Sequence, residues 1–77
     1  MYKVYGKAWC VYCDRAKTLL KNKGLEFIYF DIEKDDQFRK WAQERSGGQT
    51  SVPIIFDGDD NHIGGFEELR NRLKEQK

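Results

Sequence analysis

Cys10 and Cys13 are the two cysteines of the sequence, and they stand at i and i+3. At the start of a helix, this spacing puts the leading sulfur beside the unpaired N–H groups of the first turn and the positive end of the helix dipole. Thiolate is favoured in that position, and Lys7, three residues upstream, adds a second positive charge. Cys10 is therefore the expected nucleophile. Cys13, one turn further on and facing inward, is the expected resolving thiol, able to attack a mixed disulfide on Cys10 and release the reduced product. Two other readings compete. The pair could be small apolar residues of one helix face, or zinc ligands, although structural zinc takes four Cys or His and only His62 remains to supplement the pair. Disulfide exchange accounts best for this spacing ahead of a helix in a strand-helix-strand pattern.

The flanking segments must position the pair. Tyr2–Tyr5 is a short β-prone run that stops at Gly6 and leads through Lys7, Ala8 and Trp9 into Cys10. Beyond it Cys13, Ala16, Leu19 and Leu20 recur at helical spacing, with Asp14 in the first turn and Lys21 and Lys23 before a stop at Gly24. Residues 25–32 are dense in Phe, Ile and Tyr without clean alternation, as in an interior strand covered on both faces. Asp35 or Asp36 can cap a second helix, with Phe38, Trp41, Ala42 and Arg45 on one side and Ser46-Gly47-Gly48 at its end. Phe38 and Trp41 are expected in the core. Residues 52–56 read as a strand with Pro53 near its start, residues 57–61 as a turn, and His62-Ile63 as a short return strand before Gly64-Gly65. Phe66, Leu69 and Leu73 mark one side of a closing helix with Glu67 and Glu68 at its positive end. The order βαβαββα predicts an α/β fold, a four-stranded mixed sheet flanked by three helices, with a right-handed crossover between the first two strands. In such sheets sites form beyond the carboxyl ends of parallel strands, where Cys10 falls.

Length and charge narrow the possibilities. Seventy-seven residues suffice for one small domain, residues 1–77. Lys and Arg total 14 against 13 Asp and Glu, and a net charge of +1 gives no reason to expect nucleic acid as a partner. No apolar run approaches the length of a membrane span, and the start MYKVYGK lacks the apolar stretch of a secretory signal. A cytoplasmic chain without membrane attachment is expected. Asp57, Asp59, Asn61 and Glu68 match positions 1, 3, 5 and 12 of a calcium loop, but His62 stands where that loop needs glycine and a strand precedes it. His62 reads as an exposed strand residue, and Trp9 as an aromatic available to anchor a protein substrate.

Several segments resemble a known family in order and spacing. Trp9-Cys10-Val11-Tyr12-Cys13, Ala16-Lys17, Leu19-Leu20, Ser51-Val52-Pro53-Ile54-Ile55-Phe56 and Ile63-Gly64-Gly65-Phe66 are similar to the dithiol glutaredoxins, especially the short phage-encoded ones. The resemblance spans nearly the whole chain. It implies a thioredoxin-like fold, a cis peptide before Pro53, glutathione as co-substrate, no permanently bound cofactor, no metal and a monomer. Carried over by position, it places Lys7 against a carboxylate of glutathione and Tyr12 beside its cysteinyl sulfur. Val52, next to the Ser51 hydroxyl and Pro53, pairs with its backbone, and Gly65, Phe66 and Glu67 hold its γ-glutamyl end. Ribonucleotide reductase is the implied protein substrate.

The sequence departs from the family at three places. Val11 stands where proline is common between the cysteines, Glu67 and Glu68 where aspartates are frequent, and Phe66 where a smaller or polar residue is usual. Phe66 resembles the redoxins that take electrons from thioredoxin reductase, and Trp9 resembles thioredoxin. A redoxin fed by that reductase is thus one alternative. Another is a module holding a two-iron cluster between two chains through the leading cysteine and glutathione.

Overall fold

The computed structural model describes residues 1–75. Strand β1 (Tyr2–Gly6) leads into helix α1 (Val11–Asn22) and strand β2 (Phe27–Asp31); helix α2 (Asp36–Arg45), strands β3 (Ile54–Phe56) and β4 (His62–Gly64), and helix α3 (Phe66–Glu75) follow. The element order is the βαβαββα read from the sequence. The sheet runs β2-β1-β3-β4, with β1 parallel to β2 and antiparallel to β3, and β3 antiparallel to β4.

Alternation of side chains across the strands divides the core into two layers. Val4 and Ile55 face one side, where Ala16 and Leu20 of α1 and Leu69 and Leu73 of α3 complete the packing. Tyr5, Ile54 and Phe56 face the other, against Ala42 of α2. Phe38 and Trp41 are half-buried on this second cluster, where Trp41 stacks on Tyr5 at 5.3 Å and meets Phe56 edge-on at 5.1 Å.

Two expectations need correction. Residues 25–32 do not form an interior strand: β2 is a sheet edge and spans only Phe27–Asp31, leaving Ile28 43% exposed. Its density of large residues has another cause. Phe27 and Tyr29 pack on the cluster under α1, while Phe30 and Ile32 reach the aromatic cluster beside α2, so both periodicities are filled along a strand with one neighbour. The third strand begins at Ile54 rather than 52, because the carbonyls of Ser51 and Pro53 are taken by the Gln49 side chain instead of a neighbouring strand.

The turn between β3 and β4 is organised by one carboxylate. Buried Asp57 accepts from the backbone N–H groups of Asp59 and Asn61, both at 2.9 Å, from Asn61 Nδ2 at 3.2 Å, and from the Arg72 guanidinium of α3 at 2.9 Å. Burial pushes its carboxyl up, but these hydrogen bonds from Asn61, Asp59 and Arg72 prevail and hold it below the ordinary value of 3.8. A lowered folded-state value favours the folded chain above the unfolded value, and that contribution disappears as pH falls through the folded value. Denaturant midpoints measured from pH 6 down to pH 3 should therefore fall at the acid end. Asp57→Asn, which cannot ionise, should be less stable by about 1–3 kcal/mol at pH 6 and show a shallower acid decline. An equally steep decline in the variant would assign acid lability to other groups.

Candidate active site

β1 ends at Gly6, and residues 7–9 carry the chain to Cys10, the N-cap of α1, in an extended conformation with φ −109° and ψ 111°. Its sulfur takes the place of a capping oxygen and accepts the Cys13 N–H at 3.1 Å. The Cys10 carbonyl accepts the Asp14 N–H at 3.2 Å. Cys10 is half-buried, so reagents can reach its sulfur. On its other side the sulfur lies 3.8 Å from the Val52 carbonyl, toward which a protonated thiol donates.

Cys13 is in a different environment. It is 1% exposed and packed over Gly6, where even a Cβ atom would come within 2.5 Å of its sulfur. Burial pushes the Cys13 thiol well up, and its hydrogen bond to Cys10 and the Cys10 charge act in the same direction. The Lys7 backbone N–H and the Lys17 ammonium oppose them. Both cysteines are free.

The residues assigned by resemblance converge, with one exception. Tyr12, Ser51, Val52, Pro53, Gly65, Phe66 and Glu67 line one open cleft of about 690 Å³. The Val52-Pro53 bond is cis, Val52 is half-buried and Ser51 is exposed. The Tyr12 and Phe66 rings meet at 5.9 Å, and the Arg15 guanidinium lies over Tyr12 at 5.2 Å. Lys7 is exposed and is not among the residues lining this cleft. Trp9 is 92% exposed, and Val11 and Tyr12, which follow Cys10 in the chain, are exposed as well.

Other residues of the cleft lie outside the site expected from the sequence. Gln49 and His62 line it and are joined by a 2.6 Å hydrogen bond. Glu68 folds back so that its carboxylate accepts the Gly65 N–H at 3.0 Å, closing the start of α3. Gly64 allows this approach, since its φ is +126° and a Cβ there would lie 2.9 Å from the Glu68 side chain. Asp57 and Glu68 thus spend their oxygens on separate internal donors. Among the described residues no three His, Cys, Asp or Glu side chains converge to hold a metal ion.

The chain that carries this N-capping thiol, buried second thiol and cleft beside a cis-proline is similar to known proteins. A glutaredoxin family model matches residues 3–63. The chain belongs to the glutaredoxin family. Its thiol-disulfide oxidoreductase chemistry follows from that membership. The glutaredoxin of Enterobacteria phage T4 is 40% identical over 87 residues, covering 96% of this chain and 100% of that protein. Glutaredoxin 3 of Escherichia coli strain K12 is 43% identical over 67 residues, covering 87% of this chain and 78% of its own. In three dimensions, the buckwheat glutaredoxin-glutathione complex superposes with a TM-score of 0.81 at 26% identity, over 95% of this chain and 67% of that one. The thioredoxin-like fold is shared with these glutaredoxins. Among the described residues no helix is long and apolar enough to cross a membrane.

Close packing of Gly6 on Cys13 makes a sharp prediction. Gly6→Ala should lower stability by about 1–3 kcal/mol, because the methyl group forces either β1 or α1 to shift. It should also make Cys13 alkylate faster in the folded protein, measured by peptide mass spectrometry after timed iodoacetamide treatment. Unchanged stability and a still-protected Cys13 would show that the site has slack the packing does not reveal.

Proposed function

We propose that the chain is a glutathione-dependent reductase of disulfides and glutathione mixed disulfides, with Cys10 as nucleophile and Cys13 as resolving thiol. The Cys10 thiolate attacks one sulfur of the substrate disulfide; a Cys10-substrate bond forms, and the other sulfur leaves as a thiolate that takes up a proton. With a protein substrate, Cys13 then gives up its proton and displaces the substrate sulfur, leaving a Cys10-Cys13 disulfide. Two glutathione molecules restore the dithiol and leave as glutathione disulfide. With a glutathione mixed disulfide, a second glutathione can attack the Cys10 adduct directly.

The observation that carries this reading is the Cys10 sulfur, capped by the Cys13 N–H and 3.8 Å from the Val52 carbonyl at one edge of the cleft. Once Cys10 has captured a substrate, its negative charge is gone, and one of the influences that keep Cys13 protonated goes with it. Lys17 and the Lys7 N–H then act with less opposition.

In this reading Tyr12 flanks the glutathione sulfur and Val52, beside Ser51 and Pro53, pairs with its backbone. The N–H groups at Phe66 and Glu67 receive the γ-glutamyl carboxylate next to Gly65, and the Glu67 side chain meets the ammonium. Lys7 reaches a glutathione carboxylate from outside the cleft. The glutathione in the buckwheat complex supports the choice of co-substrate. Resemblance to the dithiol members supports a monomeric cytoplasmic reductant of ribonucleotide reductase that needs no resident cofactor.

A turnover assay with a small glutathione mixed disulfide, glutathione and glutathione reductase tests the proposal. Cys10→Ser should abolish turnover, whereas Cys13→Ser should retain a substantial part of deglutathionylation and lose reduction of protein disulfides. Undiminished turnover in Cys10→Ser would overturn the mechanism. Failure of glutathione to reduce the oxidised wild type, where thioredoxin reductase succeeds, would overturn the choice of donor.

A further inference from the structure

We infer that Gln49, held in place by His62, is the positioning residue that presents Val52 to the glutathione moiety. The inference rests on the proposed pairing of Val52 with glutathione and adds the reason Val52 is available for it.

The Gln49 amide nitrogen donates to the Ser51 carbonyl at 2.8 Å and to the Pro53 carbonyl at 3.0 Å. It therefore ties down the residues on either side of Val52 and leaves the Val52 N–H unclaimed. The Val52 carbonyl faces the Cys10 sulfur, and no hydrogen bond among the described residues engages the Val52 N–H. One edge of this segment is occupied by a side chain standing in for a neighbouring strand, and the other edge, which faces the thiol, is left free to act as a strand edge.

Gln49 is itself held from two sides. Its backbone N–H donates to Ser46 Oγ at 3.0 Å, and that hydroxyl donates to the Gln43 carbonyl at 3.1 Å, anchoring the segment to the end of α2. Because both amide donors face carbonyl oxygens, the amide oxygen must face His62 Nε2, 2.6 Å away. His62 Nε2 then carries the hydrogen. The His62 ring lies on Phe56 at 5.6 Å between centroids, so the latch ties residues 51–53 to both strands of the hairpin.

The test is steady-state kinetics with a small glutathione mixed disulfide for Gln49→Ala and Gln49→Glu, with circular dichroism to establish folding. Gln49→Ala leaves the two carbonyls untethered, and Gln49→Glu turns a carboxylate toward them while keeping an acceptor for His62. Loss of one or two ordinary hydrogen bonds corresponds to a rise in KM for the mixed disulfide of about three- to tenfold, with kcat close to wild type. His62→Ala should raise KM in the same direction by less. Unchanged KM in folded Gln49 variants, or a fall in kcat without a rise in KM, would overturn the inference. Absence of turnover in the unsubstituted protein would overturn the glutathione reading itself, and this inference with it.

Discussion

The site depends on one hydrogen bond, from the Cys13 N–H to the Cys10 sulfur, because it fixes where that sulfur sits at the start of α1. That bond comes from the backbone, whereas the Lys7 side chain is exposed and Lys7 acts on Cys13 through its backbone N–H. Retaining that bond requires the first turn of α1 to begin at Val11, and this follows from burying Cys13, Ala16 and Leu20 against the sheet while Gly6 leaves room for sulfur.

The same packing divides the labour between two chemically identical side chains. Cys10 caps the helix and meets solvent, whereas Cys13, one turn later on the inward face, is enclosed and kept protonated. The cleft beside them draws on segments distant in sequence: Tyr12 from α1, the 51–53 segment before β3, and the start of α3 after β4. The central β1, between β2 and β3, brings these ends together.

The features legible in the sequence were those set by local chemistry. Helical spacing placed Cys13, Ala16 and Leu20 on a buried face, and Asp35 does cap α2, accepting the Gln37 N–H at 2.8 Å. Trp9 is exposed, as its place beside the pair implied. Strand neighbours were harder to read, because the aromatic residues of 25–32 fill two faces at a sheet edge and so imitate an interior strand. Side-chain contacts across the fold left no signature. Gln49 reaches His62 across 13 positions, and Arg72 reaches Asp57 across 15. Glu68 could have been read as a capping partner of Gly65, three residues before it, since that pairing is local.

The account is tested most directly by mass spectrometry of the two single-cysteine variants exposed to glutathione disulfide at neutral pH. The chain retaining only Cys10 should acquire one glutathione rapidly, and the chain retaining only Cys13 should acquire it far more slowly until denatured. Comparable rates for the two folded variants, or the reverse order, would contradict the placement of the reactive sulfur.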